Sequence, residues 1–444
     1  MSQIVSDNLL AGLYLVMWIF TFIWYHRKNT SFDAGSTILL TYILYAIFSL
    51  TSINDQLFSV AYNPLRLFPY IYLYLMIMIA MTPITYFHNQ GPNTIKDPKT
   101  RIFSCIVILI FICSVLLIPD IIKDASSGIL QLFTDADAGK DAYMEQVEEA
   151  TESGGSISNI PAIIYNSLSD ITVFLCFYLM TRKEHNKKYI FMLLFAIIIG
   201  ILLPITKGQR GGVVSGVLTV IGGYMLFKKY ISDKLNRLLK YAGIILFTII
   251  TIPIIAITVS RFGKETGGVG GFINWYVGQG SLYFNNYGLN AGGTRNGDRT
   301  FNLVKRVIKP DTPKNFSERR DKYRYLKIDD YFFTTFVGDF TIDFGPIGAA
   351  VIFIIVNLAI LIHIRTMNDE IAVHQLLLIF FAICVNLQGG MTLYSYADSG
   401  NLRILMLGLI YSYLRYHEIL EQKFPLILHK LENDDKDVNC KNSI

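Results

Sequence analysis

Apolar runs, each close to the ~20 residues that a helix needs to cross a bilayer, recur along the chain and constrain its fold more than any other feature. Because lipid offers the backbone no hydrogen-bonding partner, each run predicts a helix that satisfies its own backbone groups. The runs lie near residues 8–25, 36–53, 67–87, 102–119, 161–181, 189–206, 211–227, 241–260, 343–364, 375–395 and 402–417. Charged residues make up only 16% of the chain, against roughly 25% in soluble domains. We therefore expect an all-α polytopic transmembrane helix bundle of about 11 helices in one domain, residues 1–417.

Lysine and arginine residues collect in alternate loops, after the first, third, fifth and seventh runs. These basic segments are residues 26–28, 96–101, 182–188 and 228–240. Short basic loops mark the cytoplasmic side of a membrane protein. The pattern therefore predicts an extracytoplasmic N-terminus and a cytoplasmic C-terminus. The polar tail 418–444 is expected to be cytoplasmic and disordered.

Two long loops fall on the predicted extracytoplasmic side. Loop 120–160 holds nine acidic residues and two lysines, which is typical of a solvated acidic loop. Loop 261–342 holds thirteen Lys and Arg against eight Asp and Glu, which is unusual for this side of the membrane. The second loop therefore holds most of the candidate functional residues.

Lys207 and Arg210 stand in the turn PITKGQRGG between two apolar runs. Cations at this position oppose the usual charge bias, and the glycines let a ligand approach the backbone. The arginine fork suits a phosphate or pyrophosphate. Arg261, directly after the eighth run, would complete a two-arginine clamp for an anion. The alternatives are side chains that snorkel to lipid headgroups, or a simple interfacial anchor.

Arg295 and Arg299 lie in a stretch rich in glycine, amide and aromatic residues. Such a composition suits carbohydrate, since aromatic faces such as Trp275 and Tyr276 stack on sugar rings and amides bind hydroxyls. The further candidates in this stretch are Tyr283, Tyr287, Gln279, Asn285, Asn286 and Asn290. The alternative for the aromatic residues is an interfacial belt along the membrane.

Asp339 and Asp343 are four residues apart in FVGDFTIDFGPIG, so they would share one face of a continuous helix. Gly338, Gly345 and Pro346 instead predict a re-entrant turn before the ninth helix. Either carboxylate could serve as a general base for a sugar hydroxyl, pair with Arg210 or Arg261, or simply cap a helix. Arg403 stands at the outer start of the last run. Asp170, within the fifth run, is a candidate because an intramembrane carboxylate is costly.

The sequence carries no Walker A, HExxH, GxSxG or dinucleotide-binding motif. Its five cysteines form no CxxC or Cys/His cluster. We therefore expect no metal, no cofactor and no nucleic-acid partner. Any chemistry would use a substrate that is already activated in the membrane.

This layout resembles the bacterial O-antigen or oligosaccharide repeat-unit polymerases of the Wzy type. The likeness rests on the number of helices, the KGQRGG turn, the large loop opened by Arg261, and FVGDFTIDFGPIG before the next helix. It implies a GT-C-like membrane glycosyltransferase in the bacterial cytoplasmic (inner) membrane. The substrates would be undecaprenyl-pyrophosphate-linked oligosaccharides, with flippase and chain-length regulator proteins as partners and no metal.

The resemblance also implies a reaction, in which the growing glycan leaves its lipid pyrophosphate and joins an incoming repeat unit. Arg210, Arg261, Asp339 and Asp343 are then the expected catalytic residues. The expected substrate-binding residues are Lys207, Arg295, Arg299, Arg403, Trp275 and Tyr276. An O-antigen ligase and a flippase for lipid-linked sugars are the alternative functions. A flippase is disfavoured because the two halves of the chain do not match.

Overall fold

In the computed structural model, the described residues are 3–28, 31–54, 63–98, 100–124, 159–182, 186–207, 209–262, 268–329, 332–366 and 369–423. Almost all regular structure within them is helical, and a helix covers all or most of each predicted apolar run. The run 375–395 is helical only as far as Gln388. The helices are α1 (Gln3–Lys28), α2 (Ala34–Ile53), α3 (Leu67–Gln90), α4 (Ile102–Leu116), α5 (Ile118–Asp124), α6 (Ile160–Ser167), α7 (Ser169–Thr181), α8 (Lys187–Thr206), α9 (Arg210–Phe227), α10 (Asp233–Phe262), α11 (Gly268–Tyr283), α12 (Asn302–Ile308), α13 (Phe316–Lys322), α14 (Thr335–Ile364), α15 (Val373–Gln388) and α16 (Ala397–Lys423). A π-helical turn, Phe284–Gly288, continues α11.

The expected all-α polytopic class is confirmed by the length and composition of the helices. Within the described residues, seven helices are long and apolar enough to cross a membrane, and the bent pair α6 and α7 would make an eighth. The two members of that pair meet at 53°. Two shorter apolar helices, α9 and α15, lie among them. The chain is therefore a membrane-embedded helical protein, while the number of crossings stays a prediction.

α15 lies at the centre of the bundle, with Leu376, Leu377, Ile379 and Phe380 fully buried. It packs against α3, α9 and α16, while α2 packs between α1 and α11. Aromatic stacking fills the contact between α1 and α2, where the rings of Trp18 and Tyr42 lie 4.8 Å apart. α10 is at the edge of the bundle, and most of its described side chains are exposed. Apolar side chains exposed on a membrane helix face lipid rather than water.

Two short strands close one end of the bundle. β1 (Thr94–Lys96) and β2 (Glu370–Ala372) pair in parallel, joining the α3–α4 and α14–α15 connections. Lys96 then bonds Glu418 of α16 at 2.7 Å. We call this end the basic end, since Lys96 of β1 lies there and Lys229 donates to the Gly91 and Pro92 carbonyls beside β1. The ion pair between Lys96 and Glu418 fixes α16 against the paired strands.

Residues 289–329 and 332–334, which we call the loop unit, lie at the opposite end, the loop end. The unit contains α12 and α13 and lies between the π-helical turn and α14. Loop 261–342 is therefore less irregular than expected, because α11 fills its first part and α14 begins at Thr335 instead of residue 343. The physical reason is that the glycine-rich sequence of α11 packs closely on α2, where a side chain at Gly278 would meet the Phe48 carbonyl at 2.4 Å.

Two other boundaries differ from expectation or lie outside the described residues. α16 continues to Lys423, past the expected end at residue 417. Its last turns are polar, and the ion pair of Glu418 with Lys96 fixes them against β1. A helix need not end where its apolar run ends. Residues 125–158 of loop 120–160 and the tail from residue 424 lie outside the description.

Candidate functional site

Asp339 and Asp343 lie in the first part of α14 and share one face of it, where Gly338, Gly345 and Pro346 had predicted a re-entrant turn instead of a helix. The helix breaks directly afterwards at Gly345, whose φ of 74° and ψ of 163° are non-helical. Such a conformation is accessible almost only to glycine. The break frees the first part of α14 to face the loop unit, where both carboxylates are fully buried.

Arg295 of the loop unit donates from Nε to Oδ1 of Asp343 at 2.8 Å. The second oxygen of Asp343 accepts the backbone N–H groups of Thr300, at 2.7 Å, and Arg299, at 3.3 Å. The backbone N–H of Arg295 itself donates to the carbonyl of Ile342 at 3.0 Å. Asp343 therefore fixes Arg295, Arg299 and Thr300 of the loop unit on α14.

Asp339 makes a matching set of contacts one helical turn earlier. Its Oδ1 lies 2.9 Å from Nε of Arg299. Its Oδ2 accepts the Thr392 hydroxyl and the Leu393 backbone N–H, both at 2.8 Å. The guanidinium of Arg299 also stacks 4.5 Å from the ring centre of Tyr396. Arg295, Arg299, Asp339 and Asp343 form what we call the arginine–aspartate network.

A third carboxylate, Asp298, lies between the two arginines in sequence and is fully buried. It binds Lys305, and it accepts hydrogen bonds of 2.7 Å from Lys322 and from the phenol of Tyr323. Burial alone would raise the pKa of Asp298, but these three hydrogen bonds outweigh it and lower the pKa below its usual value. The same phenol oxygen also lies 2.8 Å from the Arg295 carbonyl oxygen, so its single proton is shared between the two acceptors. Asp298 therefore holds the loop unit together internally.

These contacts bear on the roles expected for the four network residues. The structure brings Arg295, Arg299, Asp339 and Asp343 together, as an ion-pair network within the protein. Charges that leave water need partners of this quality, since an unpaired buried charge costs several kcal/mol. The role of Asp339 or Asp343 as a base stays a prediction, and their contacts favour the alternative in which aspartates hold arginines in place. Their partners are Arg295 and Arg299 of the loop unit.

A cavity of about 250 Å³ opens beside this network, also at the loop end. It lies among α6, α7, α8, α9 and α16. Its charged and polar lining residues are Tyr165, Asn166, Ser169, Asp170, Thr172, Lys207, Gln209, Ser215, Thr219 and Arg403. Apolar side chains such as Ile201 and Val220 complete the wall. The cavity combines an apolar surface with a few convergent polar groups, which is the usual character of a ligand site.

Three charged groups face this cavity. Lys207 forms the C-terminal cap of α8, and Arg403 lies within α16. Asp170 lies in the first turn of α7, just after the bend at Leu168. Its Oδ1 is 3.7 Å from a terminal nitrogen of Arg403. The cavity therefore has two cations against one carboxylate, and its net charge favours an anion.

One segment joins the cavity to the arginine–aspartate network. Thr392 and Leu393 bind Asp339, and the next residue, Tyr394, lies under the guanidinium of Arg403 at 5.6 Å. The backbone N–H of Ala397 then donates to the Arg299 carbonyl at 3.0 Å. The network consequently fixes the start of α16 and, with it, the position of Arg403.

The predicted clamp of Arg210 and Arg261 lies outside what the structure describes of side chains. Arg210 is the first residue of α9, and Arg261 is near the end of α10. The next residue after Arg210, Gly211, lies close to the phenol of Tyr276 on α11. Whether the two arginines share one ligand therefore stays a prediction.

The predicted sugar-binding aromatic residues make contacts within the protein. Trp275 packs edge-on against Phe332 with ring centres 5.7 Å apart, and Tyr276 packs against Phe333 at 5.0 Å. Neither belongs to the cavity wall. The side chain of Asn285 bonds both the N–H and the carbonyl of Arg66, and Asn286 does the same at Asn63. These amides hold the connection between α2 and α3.

Comparison with protein-family models, with curated proteins and with solved structures finds no match to this chain. Within the described residues, no group of three or more His, Cys, Asp or Glu side chains is placed to hold a metal ion.

The sequence analysis missed several cavity residues because they are uncharged polar residues within apolar runs. Ser215 and Thr219 are four residues apart on α9, and Asn166 and Ser169 are three apart around the bend of α6 and α7. Ser215 and Thr219 both bond Gln388 of α15, at 2.5 and 3.0 Å. Polar residues at helical spacing within apolar segments are the signal that could have indicated this wall.

Proposed function

We propose that this chain is a membrane glycosyltransferase that polymerises lipid-linked oligosaccharide repeat units. The donor would be a growing glycan on undecaprenyl pyrophosphate, and the acceptor an incoming lipid-linked repeat unit. The observation that carries the proposal is the cavity at the loop end, with Lys207 and Arg403 in a wall that is otherwise partly apolar. Such a wall suits the head of a polyprenyl pyrophosphate, which joins a concentrated anion to a hydrocarbon chain.

The cations would act mainly on the leaving group. Negative charge grows on the pyrophosphate as its bond to the sugar breaks, and positioned cations stabilise that charge in the transition state. Arg403 can bind two phosphate oxygens with its planar fork, whereas Lys207 acts as a point charge. Arg210, the first residue of α9, stands close enough in sequence to Lys207 to join them.

The arginine–aspartate network would serve this reaction as a rigid support. It fixes the loop unit over the same end of the bundle and holds the start of α16 through Ala397. In the proposal, the loop end faces away from the cytoplasm of a bacterial cytoplasmic membrane. The architecture is then GT-C-like, with the glycan lying along the loop unit and the prenyl chain among the helices.

The test is polymer synthesis by the purified protein in liposomes that contain undecaprenyl-pyrophosphate-linked repeat units. The expected result is a ladder of products longer than one unit, read on a gel. Arg403→Ala should lose most of the ladder, and Arg403→Lys should keep part of it. Arg324→Ala is the matched control, because this loop-unit arginine is 78% exposed.

The alternatives predict different results in the same liposomes. A flippase moves single units across the bilayer without lengthening them. A ligase lengthens nothing until a separate lipid core acceptor is added. Either outcome from folded protein would contradict the polymerase proposal.

A further inference from the structure

Asp170 is the carboxylate whose surroundings differ most from those of the network. It is only 3% exposed, yet it lines the cavity. Within the part of the chain that the structure describes, no hydrogen-bond partner lies within bonding distance of its Oδ2. Its charged neighbour, Arg403, approaches the other oxygen and only to 3.7 Å. The phenol of Tyr394 is within hydrogen-bonding reach of the same carboxyl, and the thiol of Cys384 is the other titratable group nearby. A buried carboxylate oxygen without a partner is costly, and it indicates a group that a ligand completes.

Among the residues that the structure describes, the other buried carboxylates at the loop end already have partners within the protein. Asp343 binds Arg295 and two backbone N–H groups, and Asp339 binds Arg299, Thr392 and Leu393. Asp298 is saturated in the same way by two lysines and a phenol. To accept a proton, each would first have to give up contacts that hold the loop unit in place.

We infer that Asp170 is the general base of the proposed reaction and accepts the proton of the acceptor sugar's hydroxyl. In that step, the hydroxyl oxygen forms a bond to C1 of the donor sugar. The bond from C1 to the pyrophosphate oxygen breaks, and its electron pair stays on the pyrophosphate. The hydroxyl proton passes to Oδ2 of Asp170. No oxidant, reductant or further reactant is required.

The local fold suits this role in two ways. Asp170 lies in the first turn of α7, where the helix dipole favours a negatively charged side chain. Arg403 lies on the Oδ1 side, so that Oδ2 is left for the hydroxyl. The same guanidinium lines the cavity and can contact the pyrophosphate, which would place donor and acceptor on either side of one ion pair. The protein thereby fixes the distance between the base, Asp170, and Arg403, which would contact the leaving group.

The inference rests on the proposed function, and the experiment separates the two. Wild-type protein that makes no polymer would contradict the proposed function. If wild type polymerises, Asp170→Asn should lower the initial rate by about 100-fold or more. Binding of undecaprenyl pyrophosphate alone should stay within about threefold of wild type, because the cations remain. Asp321→Asn, an exposed aspartate of the loop unit, is the matched control.

If Asp170 had a purely structural role, its replacement would reduce the amount of folded protein. The remaining rate would then depend on pH as it does in wild type. The expected result instead is that the acid limb of the pH–rate profile disappears in Asp170→Asn. Asp170→Ser, which is smaller, replaces it should the amide variant not fold. A folded variant with the wild-type rate, or with an unchanged acid limb, would overturn the inference. Should neither variant fold, a wild-type rate that does not vary between about pH 4 and 8 would overturn it as well.

Discussion

Arg295 and Asp343 lie 48 residues apart in sequence, yet Nε of the arginine is 2.8 Å from Oδ1 of the aspartate and both side chains are buried. This contact joins the loop unit to the first part of α14. Because the neighbouring pair, Arg299 and Asp339, also binds the segment before α16, the loop unit and the cavity wall are parts of one connected structure. Changes in the network should therefore reach the cavity.

Asp343→Ala removes the nearer carboxylate partner of the buried Arg295, whose other carboxylate neighbour, Asp339, lies 3.9 Å away. We expect it to destabilise the protein by about 3–5 kcal/mol, or to prevent its accumulation. Asp321→Ala is the control, because Asp321 and Arg324 form an ion pair that is 58% and 78% exposed. Breaking an exposed pair costs about 0–1 kcal/mol. Thermal unfolding of both variants in detergent measures the difference, and equal melting temperatures would show that the buried pair is dispensable.

Asp298 should make the stability of the loop unit sensitive to acid. Its folded pKa is below the ordinary value of 3.8, so the folded state binds fewer protons than the unfolded chain. The stabilisation is therefore fully present above that ordinary value and is lost as the pH falls through the folded pKa. In Asp298→Asn, the melting temperature should be lower at neutral pH and should fall less steeply in acid. Parallel curves for variant and wild type would contradict the assignment.

Gly345→Ala should strain the break in α14, since alanine at this φ and ψ costs about 1–3 kcal/mol. Gly408→Ala is the matched control within α16, where an added methyl group meets no atom within 4 Å. Replacing a glycine within a helix by alanine increases the free energy of unfolding by up to about 1 kcal/mol. Opposite shifts in melting temperature are expected, and a neutral Gly345→Ala would mean that α14 tolerates a continuous helix.

Arg210→Ala should abolish long polysaccharide chains while the protein level stays normal. Arg210→Lys should restore them only in part, because an ammonium group cannot fork across two phosphate oxygens. The measurement is the length distribution of the polysaccharide in cells. Normal chain lengths in the alanine variant would remove the anion clamp from the proposed mechanism.

The sequence was most informative where a single physical requirement dominates. Each apolar run had to become a helix, and the four-residue spacing of Asp339 and Asp343 had to place them on one face once that segment was helical. Gly345 and Pro346 predicted a re-entrant turn, and the structure has a break within α14 at Gly345. These features follow from backbone hydrogen bonding and steric limits, which act locally.

The partners of the charged residues could not be predicted in this way. A substrate-binding role for Arg295 and Arg299 stays a prediction, but the sequence did not indicate their contacts with Asp343 and Asp339. Asp170 and Arg403 are more than two hundred residues apart, and only the packing of α7 against α16 brings them to one cavity. Ion pairs of such separation depend on which helices become neighbours, and composition carries little of that information.

The sequence alone determined that this protein is a helical membrane protein with polar loops of unequal charge. The reason is that the lipid interior excludes backbone groups without hydrogen bonds and most charged side chains. The tertiary structure decided which carboxylates are saturated and which one, Asp170, faces a cavity with an oxygen to spare. That distinction depends on distances of a few ångströms between distant segments, and hydrogen bonds and ion pairs weaken steeply over such distances.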